Sequence, residues 1–161
     1  CLESGLFKSI DLYGPEGEEG IEEFDSIYKL AGRLGIKRKA HVGEFSDARS
    51  VRAFVEFFDL EEVQHGIGAV QDDSVLQFIK DRNLRLNITP ESNVMLGAVK
   101  SLEVHPIKKI VEAGIRVTIS TDDLLFFNKS VSEQCHDLVK ANVLTADQVK
   151  EIFATTVAEY Q

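Results

Sequence analysis

The residues able to do chemistry in this chain fall at five places along it. Asp11 comes first, then His41 and Glu44 three positions apart, His65 before a glycine, Ser92-Asn93 just after Pro90, and the adjacent pair Asp122-Asp123. Imidazoles and carboxylates are groups that move protons and hold metal ions. Taken singly, each also has a plainer reading. His41 would be a hydrogen-bonded strand-end residue, His65-Gly66 a tight turn, and Asp122-Asp123 an acidic pair favoured by a helix dipole. The choice between the readings depends on whether the fold brings these groups to one place.

Five short apolar runs stand just ahead of them, at residues 7–12, 39–42, 62–65, 85–89 and 116–120. Each is rich in Val, Ile, Leu or Ala and ends in a polar turn, the signature of a strand. Helical periodicity fills the gaps. In 21–34 one face carries Ile21, Phe24, Ile27, Tyr28, Ala31 and Leu34. Val51, Phe54, Val55 and Phe58 form a second such face, Val75, Phe78 and Ile79 a third, and Ile107, Ile110 and Val111 a fourth. Gly35 and Gly114 suit left-handed C-caps, and Pro106 suits a first helical position with His105 as N-cap. Ser130-x-x-Glu133 and Thr145-x-x-Gln148 read as capping boxes.

Successive strand ends, near 12, 42, 65, 89 and 120, are 23 to 31 residues apart. That is the length of one βα unit, so the chain is expected to form an α/β fold with a parallel sheet. A doubly wound sheet and a (β/α)8 barrel both fit this spacing. A doubly wound sheet would confine its functional groups to one switch point, whereas a barrel gathers them at the C-terminal ends of many strands. All five predicted strands contribute here, which favours the barrel.

Composition narrows the function. The 161 residues are 43% apolar and read as a single unit, 1–161. With 27 acidic against 18 basic residues, the net charge of -9 disfavours nucleic acid and anionic membranes as partners. Cys1 and Cys135 make no disulfide framework, and a reducing, cytoplasmic setting is expected. The 14–20 run is acidic and lacks Lys, which excludes a phosphate loop.

Five motifs carry a resemblance to the adenosine deaminase family. His41-Val42-Gly43-Glu44 resembles its His-Ala-Gly-Glu motif, and Gln64-His65-Gly66 its Gly-His-Gly segment. Thr89-Pro90-Glu91-Ser92-Asn93 is similar to Cys-Pro-Thr-Ser-Asn, Thr121-Asp122-Asp123 to Thr-Asp-Asp, and Asp11-Leu12-Tyr13-Gly14 to Asp-Leu-Ala-Gly. Their order and spacing agree over almost the whole chain. The resemblance implies the C-terminal part of a metal-dependent hydrolase barrel, roughly strands four to eight with their helices.

It also implies a zinc ion held by His41 and Asp122, with Glu44 protonating the purine ring and His65 orienting the attacking hydroxide. Asp123 and the backbone of Gly14 would bind the purine substrate. The implied reaction is hydrolytic deamination of adenosine to inosine and ammonia, with adenine as the alternative substrate. Such a reaction needs a carboxylic acid that stays protonated near neutral pH, and the neighbouring Phe45 is expected to desolvate Glu44 for that purpose.

The chain departs from the family pattern at Val42, Gln64, Thr89 and Leu124, of which Gln64 and Leu124 are expected to reshape the pocket. Two further zinc ligands in the family come from a His-x-His motif, and the chain contains none. The isolated piece is therefore expected to be inactive. It is also expected to self-associate through open sheet edges and an uncovered apolar barrel interior.

Overall fold

Alternating apolar runs and amphipathic segments resolve, in the computed structural model, into strands that each lead into a helical layer. The structure describes residues 1–17 and 19–158; Glu18 in the 14–20 run and positions 159–161 of the 1–161 unit lie outside the described residues. The order is β1 (Ser9–Leu12), α1 (Asp25–Arg33), β2 (Lys37–Val42), α2 (Ala48–Phe58), β3 (Glu62–His65), α3 (Asp73–Asp81) and β4 (Arg85–Ile88). There follow α4 (Pro90–Met95), α5 (Ile107–Glu112), β5 (Arg116–Ile119), α6 (Leu124–Phe127), α7 (Val131–Lys140) and α8 (Ala146–Ala158).

The five strands are all parallel and lie side by side in chain order, β1-β2-β3-β4-β5. A doubly wound sheet reverses its order at a switch point. No reversal occurs here, so the sheet is a portion of a (β/α)8 barrel.

The caps form as the residue types require. Ser130 and Glu133 exchange both bonds of a capping box. Thr145 Oγ1 accepts from the Gln148 N–H at 3.1 Å while Gln148 Oε1 accepts from the Thr145 N–H at 2.8 Å. The helix predicted over 21–34 is shorter, because its first turn, Ile21–Phe24, is a 3-10 turn. Two helices escaped the periodicity. At four residues α6 is too short to repeat a face, and α4 buries Pro90, Ser92 and Asn93 in place of an apolar stripe.

The register sorts the strand residues into two faces. One carries Ala40, Val42, Val63, Leu86, Ile88, Val117 and Ile119, all buried against the helices with Val51, Phe54, Phe58, Ile79, Ile107, Ile110 and Leu138. The other face points towards the barrel axis, and it is polar. One register row runs Asp11, Lys39, Glu62, Arg85, Arg116, and the next His41, Gln64, Asn87, Thr118.

The expected apolar interior is therefore corrected: ion pairs and amides line the axis. Glu62, 2% exposed, accepts from Arg85 Nη2 at 2.5 Å, Lys37 Nζ at 2.7 Å and Asn87 Nδ2 at 3.2 Å, with Lys39 Nζ at 3.0 Å. A buried carboxylate is tolerable only when its lone pairs are used in this way.

Burial alone would raise the pKa of Glu62, but the bonds from Arg85 and the two lysines outweigh it and hold the carboxyl well below the usual range. A group with a depressed folded-state pKa stabilises the fold above its unfolded pKa and loses that contribution as the pH falls. Glu62→Ala should therefore cost about 3–5 kcal/mol in urea unfolding at pH 7, because it removes the carboxylate beside buried Arg85. The gap from wild type should narrow as the pH drops below about 4. A variant that unfolds at the wild-type urea midpoint would refute this account of the axis.

Candidate active site

Strand ends set the site. β2 runs out at His41-Val42 into the Gly43–Ser46 turn carrying Glu44, β3 ends on His65, and β5 leads into Thr121-Asp122-Asp123. Gly14, His41, Glu44, His65, Asp122 and Asp123 all line one cavity of about 1130 Å³. The structure thus brings together every site residue expected from the sequence.

Two of these residues sit on unusual backbone. His65 has φ 63° and Asp122 φ 60°, a left-handed conformation that L-residues enter at a cost. His65 pairs in register with Val42, whose side chain faces the helices. Strict alternation would send His65 the same way, and the left-handed turn instead puts its ring in the cavity wall. Gly43 is required for a related reason. At φ 80°, a Cβ there would lie 2.4 Å from Val51 Cγ2.

The loop that carries Glu44 is held by a residue the sequence reasoning passed over. The Glu16 carboxylate accepts from the backbone N–H groups of Gly43 (2.7 Å), Glu44 (2.9 Å), Ser46 (3.0 Å) and Phe45 (3.2 Å), and from the Ser46 hydroxyl. Burial would raise its pKa, but the Ser46 hydroxyl and the backbone donors prevail and lower it. Successive N–H groups in such a turn form a cradle for an anion. Here the anion is internal, supplied by the acidic segment whose charge excluded a phosphate loop.

His41 Nδ1 lies 3.1 Å from Asp11 Oδ1, and Asp11 Oδ2 accepts from Gln64 Nε2 at 2.6 Å. A carboxylate paired with one ring nitrogen in this way fixes the orientation of the imidazole, with Asp11 engaging Nδ1 and not Nε2. Burial disfavours charge on His41, but the bond to Asp11 outweighs it and its pKa is raised. Ligand atoms of Glu44, His65 and Asp122 lie within 4.8 Å of one another, and the His41 and His65 rings are 5.4 Å apart. Imidazole nitrogen and carboxylate oxygen are donors that suit zinc; the clustered group includes Asp122 of the two expected ligands, and His41 stands next to it, beside His65.

The pKa values of Glu44 and His65 are shifted in opposite directions. Burial raises the pKa of Glu44, the bond from Asn93 opposes the rise, and the charges of Asp122 and Glu16 add to it; the net shift is upward. Burial, helped by His41, lowers the pKa of His65 to about 4, so its ring is neutral at pH 7. The site therefore places a carboxyl of raised pKa beside a neutral imidazole.

Several finer expectations change. Phe45 is 62% exposed and lines the cavity together with Glu44; the Glu44 side chain, 9% exposed, packs beside His65 and Asn93. Gln64 is not in the cavity wall and braces Asp11 instead, whereas Leu124 does line the cavity. Ser92 and Asn93 are fully buried behind the cavity and support it. Asp123 accepts from the Leu125 N–H at 2.9 Å and so also caps α6. Cys135 is buried, and both cysteines are free.

A model described as adenosine deaminase matches residues 3–159. The chain is 57% identical over 153 residues to a protein of Treponema pallidum (strain Nichols) assigned as an adenosine/adenine deaminase, covering 95% of this chain and 51% of that one. It is similar to the crystal structure of an adenine deaminase from Arthrobacter aurescens, with a TM-score of 0.83 and 28% identity over 90% of this chain and 44% of that one. A zinc-bound cog1816 amidohydrolase from Burkholderia ambifaria shares the fold, with a TM-score of 0.76 and 24% identity over 89% of this chain and 40% of that one. The chain spans about half the length of the relatives it matches. With the match running nearly end to end, the chain belongs to the adenosine deaminase family.

Proposed function

We propose that the full-length protein hydrolyses the amino group from the six-position of adenosine, yielding inosine and ammonia. The observation that carries this reading is a carboxyl with a raised pKa, Glu44, beside a neutral imidazole and a second carboxylate in one cavity. Attack on an aromatic ring carbon is slow unless a ring nitrogen gains a proton as negative charge develops. Glu44 supplies that proton, and the water oxygen adds to the six-carbon. His65 orients the attacking oxygen; of the two protons the water gives up, one leaves on the amino group as ammonia when the C–N bond breaks, and the other returns to Glu44 while the ring-nitrogen proton stays on the product.

His41 and Asp122 are the residues of this chain that would hold zinc, which when bound makes hydroxide available near neutral pH. The backbone of Gly14 and the free oxygen of Asp123 bind opposite edges of the purine. Leu124, Phe126 and Met95 supply apolar wall against its faces. No helix among the described residues is long and apolar enough to cross a membrane, and two unpaired cysteines suit the cytoplasm. Adenine is the second reading, supported by the name of the Arthrobacter aurescens structure. Steady-state rates with adenosine and adenine, measured side by side on the full-length enzyme, separate the two. Failure to turn over either would end the deaminase reading.

Three variants test the roles. Glu44→Gln should lower kcat by about 10²–10⁴-fold, the range for loss of a positioned acid, with zinc content unchanged by elemental analysis. Asp122→Ala should reduce bound zinc per chain, and stoichiometric zinc in that variant would exclude Asp122 as a ligand. Glu16→Ala takes the acceptor from the loop that carries Glu44. It should speed hydrogen exchange at the Gly43–Ser46 amides and lower kcat about tenfold or more through misplacement of Glu44. Unchanged exchange would show that the loop is held by other contacts.

A further inference from the structure

His105 lies behind the cavity in the turn before α5, and nothing in the reaction above uses it. It is 2% exposed. Its Nδ1 accepts from the Ile107 N–H at 3.0 Å, so that nitrogen carries a lone pair. Burial pushes its pKa down to about 4; the ring is neutral at pH 7, and its one proton sits on Nε2. That nitrogen is 3.3 Å from Asn93 Oδ1.

The contact decides which way round the Asn93 amide stands. Exchanging its oxygen and nitrogen would set N–H against N–H at His105 and oxygen against carboxylate at Glu44. In the orientation that remains, Asn93 Nδ2 donates to Glu44 Oε1 at 2.6 Å and approaches His65 Nδ1 at 3.1 Å. Thr89 Oγ1 also lies 3.1 Å from His65 Nδ1, and Ser92 Oγ donates towards Thr89 Oγ1 at 2.8 Å.

We propose that His105 is a positioning residue for deamination, its Nε2–H locking the Asn93 amide so that Glu44 and His65 each carry their proton on one defined atom. With Oε1 engaged by Asn93, the Glu44 proton is placed on Oε2. Because the Asn93 amide nitrogen can only donate, its approach to His65 Nδ1 makes that nitrogen an acceptor, and the His65 proton is placed on Nε2. A helix cap alone would be served as well by Asn or Ser; histidine differs in offering a donor from the far side of the same ring. The inference rests on the deaminase reading.

Two substitutions in the full-length protein split the two nitrogens. H105N keeps an acceptor for the Ile107 N–H and drops the donor to Asn93, while H105Q keeps a donor and drops the cap. H105N should retain the wild-type thermal midpoint and zinc content yet lose about tenfold or more in kcat, with KM within about twofold because neither His105 nor Asn93 lines the cavity. H105Q should restore most of kcat while its thermal midpoint falls. Nitrogen-15 NMR of the wild type should show His105 as the neutral Nε2–H tautomer from pH 6 to 8.

Wild-type kcat in H105N, or kcat losses that track stability in both variants, would overturn the proposal. So would an Nδ1–H or charged His105 in an enzyme that does deaminate. If the wild type acts on neither adenosine nor adenine, the functional reading is what fails, and the proposal falls with it.

Discussion

In a parallel sheet every strand points the same way, so all its C-terminal ends reach one rim. The active cavity depends on that constraint more than on any single contact. Chain-order pairing from β1 to β5 sets the ends of neighbouring strands beside one another, with no reversal to divide them. Residues far apart in the chain, such as Gly14 and Asp123, then share one wall. The left-handed backbone at His65 and Asp122 is a local departure superimposed on this order. At His65 it turns the side chain off the direction the strand would give it. Strain of that kind persists only where the surrounding packing over-determines it.

Gathering functional groups on one rim creates an electrostatic difficulty, because Asp11, Glu16, Glu44, Asp122 and Asp123 all crowd the cavity or its edge. The structure answers by occupying three of them. Asp11 is held by His41 and Gln64, Glu16 by the Gly43–Ser46 turn, and Asp123 by the first turn of α6. Glu44 is left facing the charge of Asp122 and Glu16 in a buried place, and both effects push its pKa up. A carboxyl made basic in this way is what protonation of a weakly basic ring nitrogen requires. The same acidic surroundings suit a divalent cation, whose charge they would share.

The two faces of the sheet do different work. The helix side is an ordinary aliphatic core, and its burial supplies the general driving force for folding. The axis side is a hydrogen-bonded ladder of polar groups running from Lys37 through Glu62 and Arg85 to Asn87 and Thr118. Paired charges contribute little net stability compared with apolar packing, and removing one member is costly. The ladder follows the register, each polar row lying on paired positions of neighbouring strands. Register is what the cavity needs, since a slip of one residue would exchange the two faces.

Much of this was legible in the sequence because it depends on local chemistry. Strand and helix periods, the capping boxes at Ser130 and Thr145, and the glycine that closes α1 all follow from residue types a few positions apart. The six candidate site residues were also legible, since each stands at the end of an apolar run. The short helices α4 and α6 were not, having no period to show. Glu16 was missed because its partners are about thirty residues away, and nothing near it in the chain marks it as their acceptor. By itself the sequence determined the repeating βα units, the direction of the strands and the set of ionisable groups at their ends. Only the tertiary structure decided which face of each strand met the helices, that the barrel axis is polar, and that His105, Asn93, Glu44 and His65 stand within hydrogen-bond reach of one another. Hydrogen bonds depend on distances between atoms, and the order of residues along a chain does not contain those distances until the strands are paired.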